Sequence, residues 1–178
     1  MAQLLEPNVG TINPWSTLES IGAKLISLGL AMNNCASAAY PSANLAIYYP
    51  FVLRRQIVAA QLFWFNGATV SGNVDIGIYS ADGARLTPSS STAQATINTL
   101  QVVNITDTTI GPGLFRMGIA MNNTTGTLNS IASGLLAFLS ACGVTQQATA
   151  FALPATSTIA TATFDYLPIF GLTTGSVL

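Results

Sequence analysis

The chain has 178 residues, enough for one domain that would bury roughly 70% of the surface its unfolded form exposes. Charged residues make up 6% where about 25% is usual, half the residues are apolar, and the formal net charge is −1. Five basic residues against six acidic ones leave no electrostatic footprint for phosphate, which excludes a nucleic-acid binder.

Residues 1–16 read as an extended arm, because Pro7, Gly10 and Pro14 interrupt any periodicity. Ser16-Thr-Leu-Glu19 has the spacing of a capping box, and Leu18, Ile21, Leu25 and Leu28 fall near one helical face, so a short helix is expected there. An irregular segment or a strand lying on the sandwich is the alternative, since Gly22 and Gly29 weaken a helix. Arm and helix together form an N-terminal region, residues 1–44. A single β-domain is expected over 45–178.

From Leu45 onward the period shortens. Leu45–Leu53 reads as a strand, with Pro50 pointing to an edge or a bulge. Ile57–Phe65 is a second strand, closed by the turn signal Asn66-Gly67. In the next stretch Val70, Gly72, Val74, Ile76 and Ile78 alternate with Ser71, Asn73, Asp75, Gly77 and Tyr79, and Asp82-Gly83 turns it back as a hairpin. Thr87–Thr96 reads as a polar loop. Leu100–Thr106 and Leu114–Met121 are strands around the turn Gly111-Pro-Gly113, and Asn122–Gly126 is again turn chemistry. Residues 131–143 read as a short buried helix or a loop over the sheets, and Thr161–Phe170 as a final strand with Pro168 at an edge. About seven short strands set apart by Gly, Asn and Pro turns predict an all-β antiparallel sandwich, with a jelly roll as the expected version.

The longest uncharged run, Met117–Phe164, has its dense apolar part at Ile131–Val144, shorter than the ~20 residues of a spanning helix, so no membrane span is expected. Lys24–Met32 followed by Cys35–Ala38 mimics a secretory signal, too late in the chain to act as one. Cys35 and Cys142 cannot build a disulfide framework and read as small buried thiols.

Histidine is absent. That removes the commonest general base, the commonest transition-metal ligand and every Ser-His-Asp or Cys-His arrangement. The carboxylates Glu6, Glu19, Asp75, Asp82, Asp107 and Asp165 are scattered, so neither a calcium loop nor a paired-carboxylate glycosidase site stands out. Asp75 sits mid-strand and reads as an outward-facing residue or a partner for Arg54, Arg55 or Arg116 rather than as a catalytic acid. No catalytic, cofactor-binding or metal residue is expected. Tyr48, Tyr49 and Trp64 are the candidates for a subunit interface or a sugar-stacking platform.

The run Asn66–Tyr79, with Asp82-Gly-Ala-Arg-Leu86 and Gly113–Gly126, resembles small β-sandwich proteins encoded among the virion genes of tailed bacteriophages. The resemblance covers roughly residues 40–170 and consists of strand-and-turn patterns. It implies a non-enzymatic structural component of the particle: a capsid decoration, head-fibre or tail-appendage protein, assembled in the host cytoplasm. Its implied partners are copies of itself, with a trimer as the expected form, and other capsid or tail proteins. Two other classes stand beside it: a module that binds a host-surface glycan or receptor and, further off, a glycosidase resting on Asp75 and Asp165. The composition suits the first, because an apolar, weakly charged surface stays dispersed when neighbours cover it.

Overall fold

The computed structural model describes residues 23–26, 35–88, 90–132 and 136–174. In chain order the strands are β1 (Ala23–Ile26), β2 (Ala36–Ala39), β3 (Ala46–Leu53), β4 (Ile57–Phe65), β5 (Asn73–Ser80), β6 (Thr92–Ala93) and β7 (Leu100–Ile110). They continue as β8 (Gly113–Met121), β9 (Thr127–Ala132), β10 (Thr145–Gln147), β11 (Ala160–Thr161), β12 (Tyr166–Pro168) and β13 (Phe170–Thr173), with a helix, α1 (Leu136–Ala141), between β9 and β10. Every pairing is antiparallel. A four-stranded sheet has the order β1-β13-β4-β7, a six-stranded sheet β11-β10-β3-β8-β5-β6, and a three-stranded sheet β12-β9-β2. The fold is an all-β sandwich with a short helix.

The main core is continuous across the sheets. Leu62 and Trp64 of β4, Ile76 and Ile78 of β5, and Met117 and Ile119 of β8 are buried in one apolar cluster. Full burial of an aliphatic side chain stabilises by about 1.5–3 kcal/mol, so this cluster is the main favourable term. The alternation in β5 places Val74, Ile76 and Ile78 in this core. Its other face is buried too: Asp75, Gly77 and Tyr79 are covered, not solvated.

The expected hairpin forms, with Tyr79 bridged to Arg85 and the Ser80 N–H donating to the Ala84 carbonyl at 2.9 Å. Gly83 has φ +93°, a conformation that favours glycine, as the Asp82-Gly83 turn requires.

Several expectations are corrected. Ala23–Ile26 is a strand paired with β13, not part of a helix. The arm and the rest of the expected helix lie outside the described residues. Pro50 lies in β3 between neighbours on both sides, yet β10 reaches only as far as Tyr48, so the missing N–H falls where that flank is open. The Thr87–Thr96 loop contains β6 and buries Thr87, Ser90 and Gln94. The single strand expected over Thr161–Phe170 is divided among β11, β12 and β13, which belong to three different sheets.

Strand edges are guarded. β1, β2, β6, β11 and β12 are edge strands of two to four residues. The long edge strand β7 carries a bulge, because Thr108 pairs with Ala59 and Asn104 with Gln61, leaving Ile105, Thr106 and Asp107 opposite Ala60 alone. Short edges and bulges both discourage edge-to-edge aggregation.

Candidate functional site

The densest polar chemistry lies on the outer face of the six-stranded sheet, under residues 150–157. Gly77 of β5 and Gly118 of β8 stand opposite each other in register. With no side chain at either position, the sheet has a trough, and larger groups fill it. A Cβ on Gly77 would come 2.7 Å from Arg85 Nε, and one on Gly118 would come 2.9 Å from Tyr48 and 3.2 Å from Tyr79. The two tyrosine rings meet edge to face, with centroids 5.2 Å apart. Ala46, Ala120, Ala150 and Leu153 complete this second, smaller apolar cluster.

At its edge Arg85 pairs with Asp75, Nη2 to Oδ1 at 2.9 Å, with side-chain exposures of 7% and 0%. Asp75 Oδ1 also accepts from the Ser90 N–H at 3.0 Å, and Oδ2 from the Leu153 N–H at 2.9 Å. Arg85 donates further to the carbonyls of Leu153, Ile76 and Pro88. One ion pair thus ties together β5, the hairpin return, the segment around Ser90 and residues 150–157. That last segment is fixed along its length: the Ala150 N–H donates to the Asn44 carbonyl, the Tyr79 hydroxyl to the Pro154 carbonyl, the Arg85 N–H to the Ala155 carbonyl, and the Ser157 N–H to the Gly83 carbonyl. It acts as a strap.

Burial pushes the Tyr48 hydroxyl well above the usual tyrosine range, with Tyr79 beside it adding to the effect. Burial also pushes Tyr79 up to about 12, partly offset by the Arg85 guanidinium. Both hydroxyls are therefore neutral donors at physiological pH, Tyr48 to Gln147 Oε1 at 3.0 Å and Tyr79 to the Pro154 carbonyl at 2.7 Å.

A second polar knot surrounds Asn66. Its Oδ1 accepts from Trp64 Nε1 at 2.8 Å and from Gln94 Nε2 at 3.0 Å, while its Nδ2 donates to Gln101 Oε1 and the Thr96 carbonyl. The Asn66-Gly67 turn is thereby bolted to the loop before β7.

These contacts decide where the sequence candidates stand. Trp64 and Tyr48 are fully buried, so neither offers a ring to a partner or a sugar; both are packing residues with satisfied polar ends. Tyr49 is half-buried beside Cys142, and burial raises its hydroxyl pKa. Asp75 pairs with Arg85, not with Arg54, Arg55 or Arg116. Arg116 instead donates to the Ala81 carbonyl at 2.7 Å. The Arg85 pairing was legible in principle: an acid between Val74 and Ile76 needs a cation, and the turn at Asp82-Gly83 returns Arg85 beside Tyr79. The strap carried no such signal.

Chemically the Asp75 cluster is closed. Both carboxylate oxygens accept several hydrogen bonds from the protein, and the site is sealed from solvent, so it offers neither a base nor a nucleophile to a substrate. Among the described residues no group of three or more Cys, Asp or Glu converges as a metal site. No helix there is long and apolar enough to cross a membrane. The chain matches no family model, curated protein or solved structure.

Proposed function

We propose that the chain is a non-enzymatic structural subunit of a bacteriophage particle, acting through self-assembly and attachment to other virion proteins, as its resemblance to small phage β-sandwich proteins implies. The observation that carries this reading is the distribution of charge. Of eleven charged residues, Asp75 and Arg85 neutralise each other in the interior. Among the residues whose burial is described, the surface is left with Arg54, Arg55 and Arg116 against Asp82, Asp107 and Asp165, while Val52, Ile97 and Leu114 stand bare. Such a surface does little to keep copies apart and suits one covered by neighbours.

Strand order supports the same reading. β1-β13-β4-β7 stacks on β3-β8-β5-β6, and in chain order every connection among these eight strands crosses between the two sheets except β5 to β6. This alternation favours the jelly-roll version of the sandwich, an architecture shared by viral capsid and lectin domains. Architecture alone does not select between those roles. The glycan-binding reading, however, keeps only Tyr49 of its three aromatic candidates within reach of solvent.

The test is composition of the particle. Gradient-purified particles from cells expressing the surrounding virion genes should contain the chain in many copies by quantitative mass spectrometry, with immunogold labelling at regular positions. Presence in the lysate together with absence from purified particles would sink the proposal.

A further inference from the structure

We infer that Asn66 is a fold-gated deamidation site: with Gly67 it reacts whenever the chain is open there, and a chain that has reacted no longer refolds. Asn66-Gly67 is the chain's one Asn-Gly pair, and glycine sets no side chain in the way of its own amide nitrogen. In an open chain the Gly67 nitrogen attacks Asn66 Cγ. A new C–N bond closes a succinimide ring, the carboxamide C–N bond breaks, and the proton from the nitrogen leaves with the ammonia. Water then opens the ring at either carbonyl, which puts aspartate or isoaspartate where the asparagine stood.

The folded chain blocks each part of that step. The nucleophile is engaged, because the Gly67 N–H donates to the Thr127 carbonyl at 2.9 Å. The electrophile is fully buried and held by four hydrogen bonds, Oδ1 accepting from Trp64 and Gln94, Nδ2 donating to Gln101 and the Thr96 carbonyl. The leaving nitrogen is thus anchored on two oxygens. Swinging the carboxamide onto Gly67 would break all four bonds in the interior, where unpaired polar groups are costly.

The same contacts exclude the products. Trp64 Nε1 can only donate, which fixes Asn66 Oδ1 opposite it. Gln101 is pinned as well, its Nε2 donating to the Ala93 carbonyl at 2.8 Å and its Oε1 accepting from the Ala95 N–H at 3.0 Å. It cannot turn to offer a hydrogen to a carboxylate. An aspartate at position 66 would therefore aim one oxygen at two acceptors and carry a charge into the core. Isoaspartate also adds a methylene to the main chain between the Asn66 N–H, bonded to the Thr99 carbonyl, and Gly67. Ser37 and Thr127 leave no room there even for a Cβ on Gly67.

Peptide mapping by mass spectrometry tests the gate on the full chain, held folded or held in guanidinium at one mildly alkaline pH. The denatured chain should deamidate first at Asn66. The folded chain should do so at least ~100-fold more slowly, since reaction through rare openings follows their population. Gln101→Ala, with folding verified by circular dichroism, removes one of the four bonds and should speed the folded reaction about 10-fold while leaving the denatured rate unchanged. After ageing in denaturant and dilution, the refolded fraction should carry asparagine at position 66, and the modified chains should collect in the fraction without native structure. Asn66→Asp should reproduce that failure, whereas Asn104→Asp, the same change at an exposed position of β7, should refold. Equal rates in folded and denatured wild type, a Gln101→Ala chain that ages like wild type, or aged or Asn66→Asp chains that regain the wild-type thermal midpoint would each overturn the inference.

Discussion

Asp75 is the residue at which this fold is most sensitive to a change of one atom. Its carboxylate holds Arg85, Ser90 and Leu153 simultaneously in a site without water access. Removing one partner of a buried ion pair strands the other charge, which costs about 3–5 kcal/mol. Asp75→Asn and Arg85→Met should each destabilise on that scale in urea unfolding, with the denaturant slope unchanged. The double variant Asp75→Leu, Arg85→Met should cost clearly less than the sum, because no buried charge remains unpaired. Single variants costing under about 1 kcal/mol would show that the pair is solvated in solution. The glycines beneath make a companion prediction. A methyl at Gly118 would press on two tyrosine rings that are themselves packed, and one at Gly77 on a guanidinium held on both sides. Gly118→Ala and Gly77→Ala should each cost roughly 1–3 kcal/mol, the usual range for overpacking.

Among the elements, the strap over residues 150–157 depends most on others. It has no ladder of its own beyond the bridge from Thr156 to Ala84, and its amides are held by Asp75, Asn44 and Gly83. Native-state hydrogen exchange should therefore find the Leu153 and Ser157 amides protected in the wild type. In Asp75→Asn both should exchange much faster, while β4 amides slow or quicken only with global stability. A uniform loss across strap and β4 would mean that the strap unfolds only with the whole domain. The same dependence explains what could be read in advance. β4, β5 and β8 announce themselves because their alternation or apolar runs are intrinsic to the segment. Residues 145–147 are Thr-Gln-Gln and become β10 only because β3 presents a free flank there. Ala23–Ile26 carries helical spacing, yet pairing with β13 overrides that weak preference. Trp64 and Tyr48 stand out in the sequence as large aromatics, yet they are buried packing residues and not the exposed contacts expected of them. Their burial depends on Asn66 and on the strap, both distant from any local pattern.

At the scale of the whole molecule, the absence of histidine and the burial of tyrosine set the response to pH. All five tyrosines, Tyr40, Tyr48, Tyr49, Tyr79 and Tyr166, have hydroxyl pKa values raised in the fold, in each case first by burial. In the unfolded chain they ionise near 10. A raised folded value means that the folded state keeps its proton where the unfolded state has lost it. The stabilisation is therefore complete below about pH 10 and is lost as the pH climbs through the folded values, Tyr79's being about 12. On the acid side, hydrogen bonds from Ser80 and nearby backbone lower the pKa of Asp82, whose contribution is present at neutrality and lost as the pH falls through the carboxylate range. Asp82 is exposed, so solvent screens that contribution. With no histidine in the chain, the usual switch between pH 6 and 8 is missing. The thermal midpoint should run flat across that window and drop above about pH 10, and tyrosinate absorbance should appear together with unfolding, not ahead of it. A midpoint that slopes between pH 6 and 8, or tyrosinate forming in a still-folded chain near pH 10, would mean that the tyrosines are more open to water than the strap and the sandwich allow.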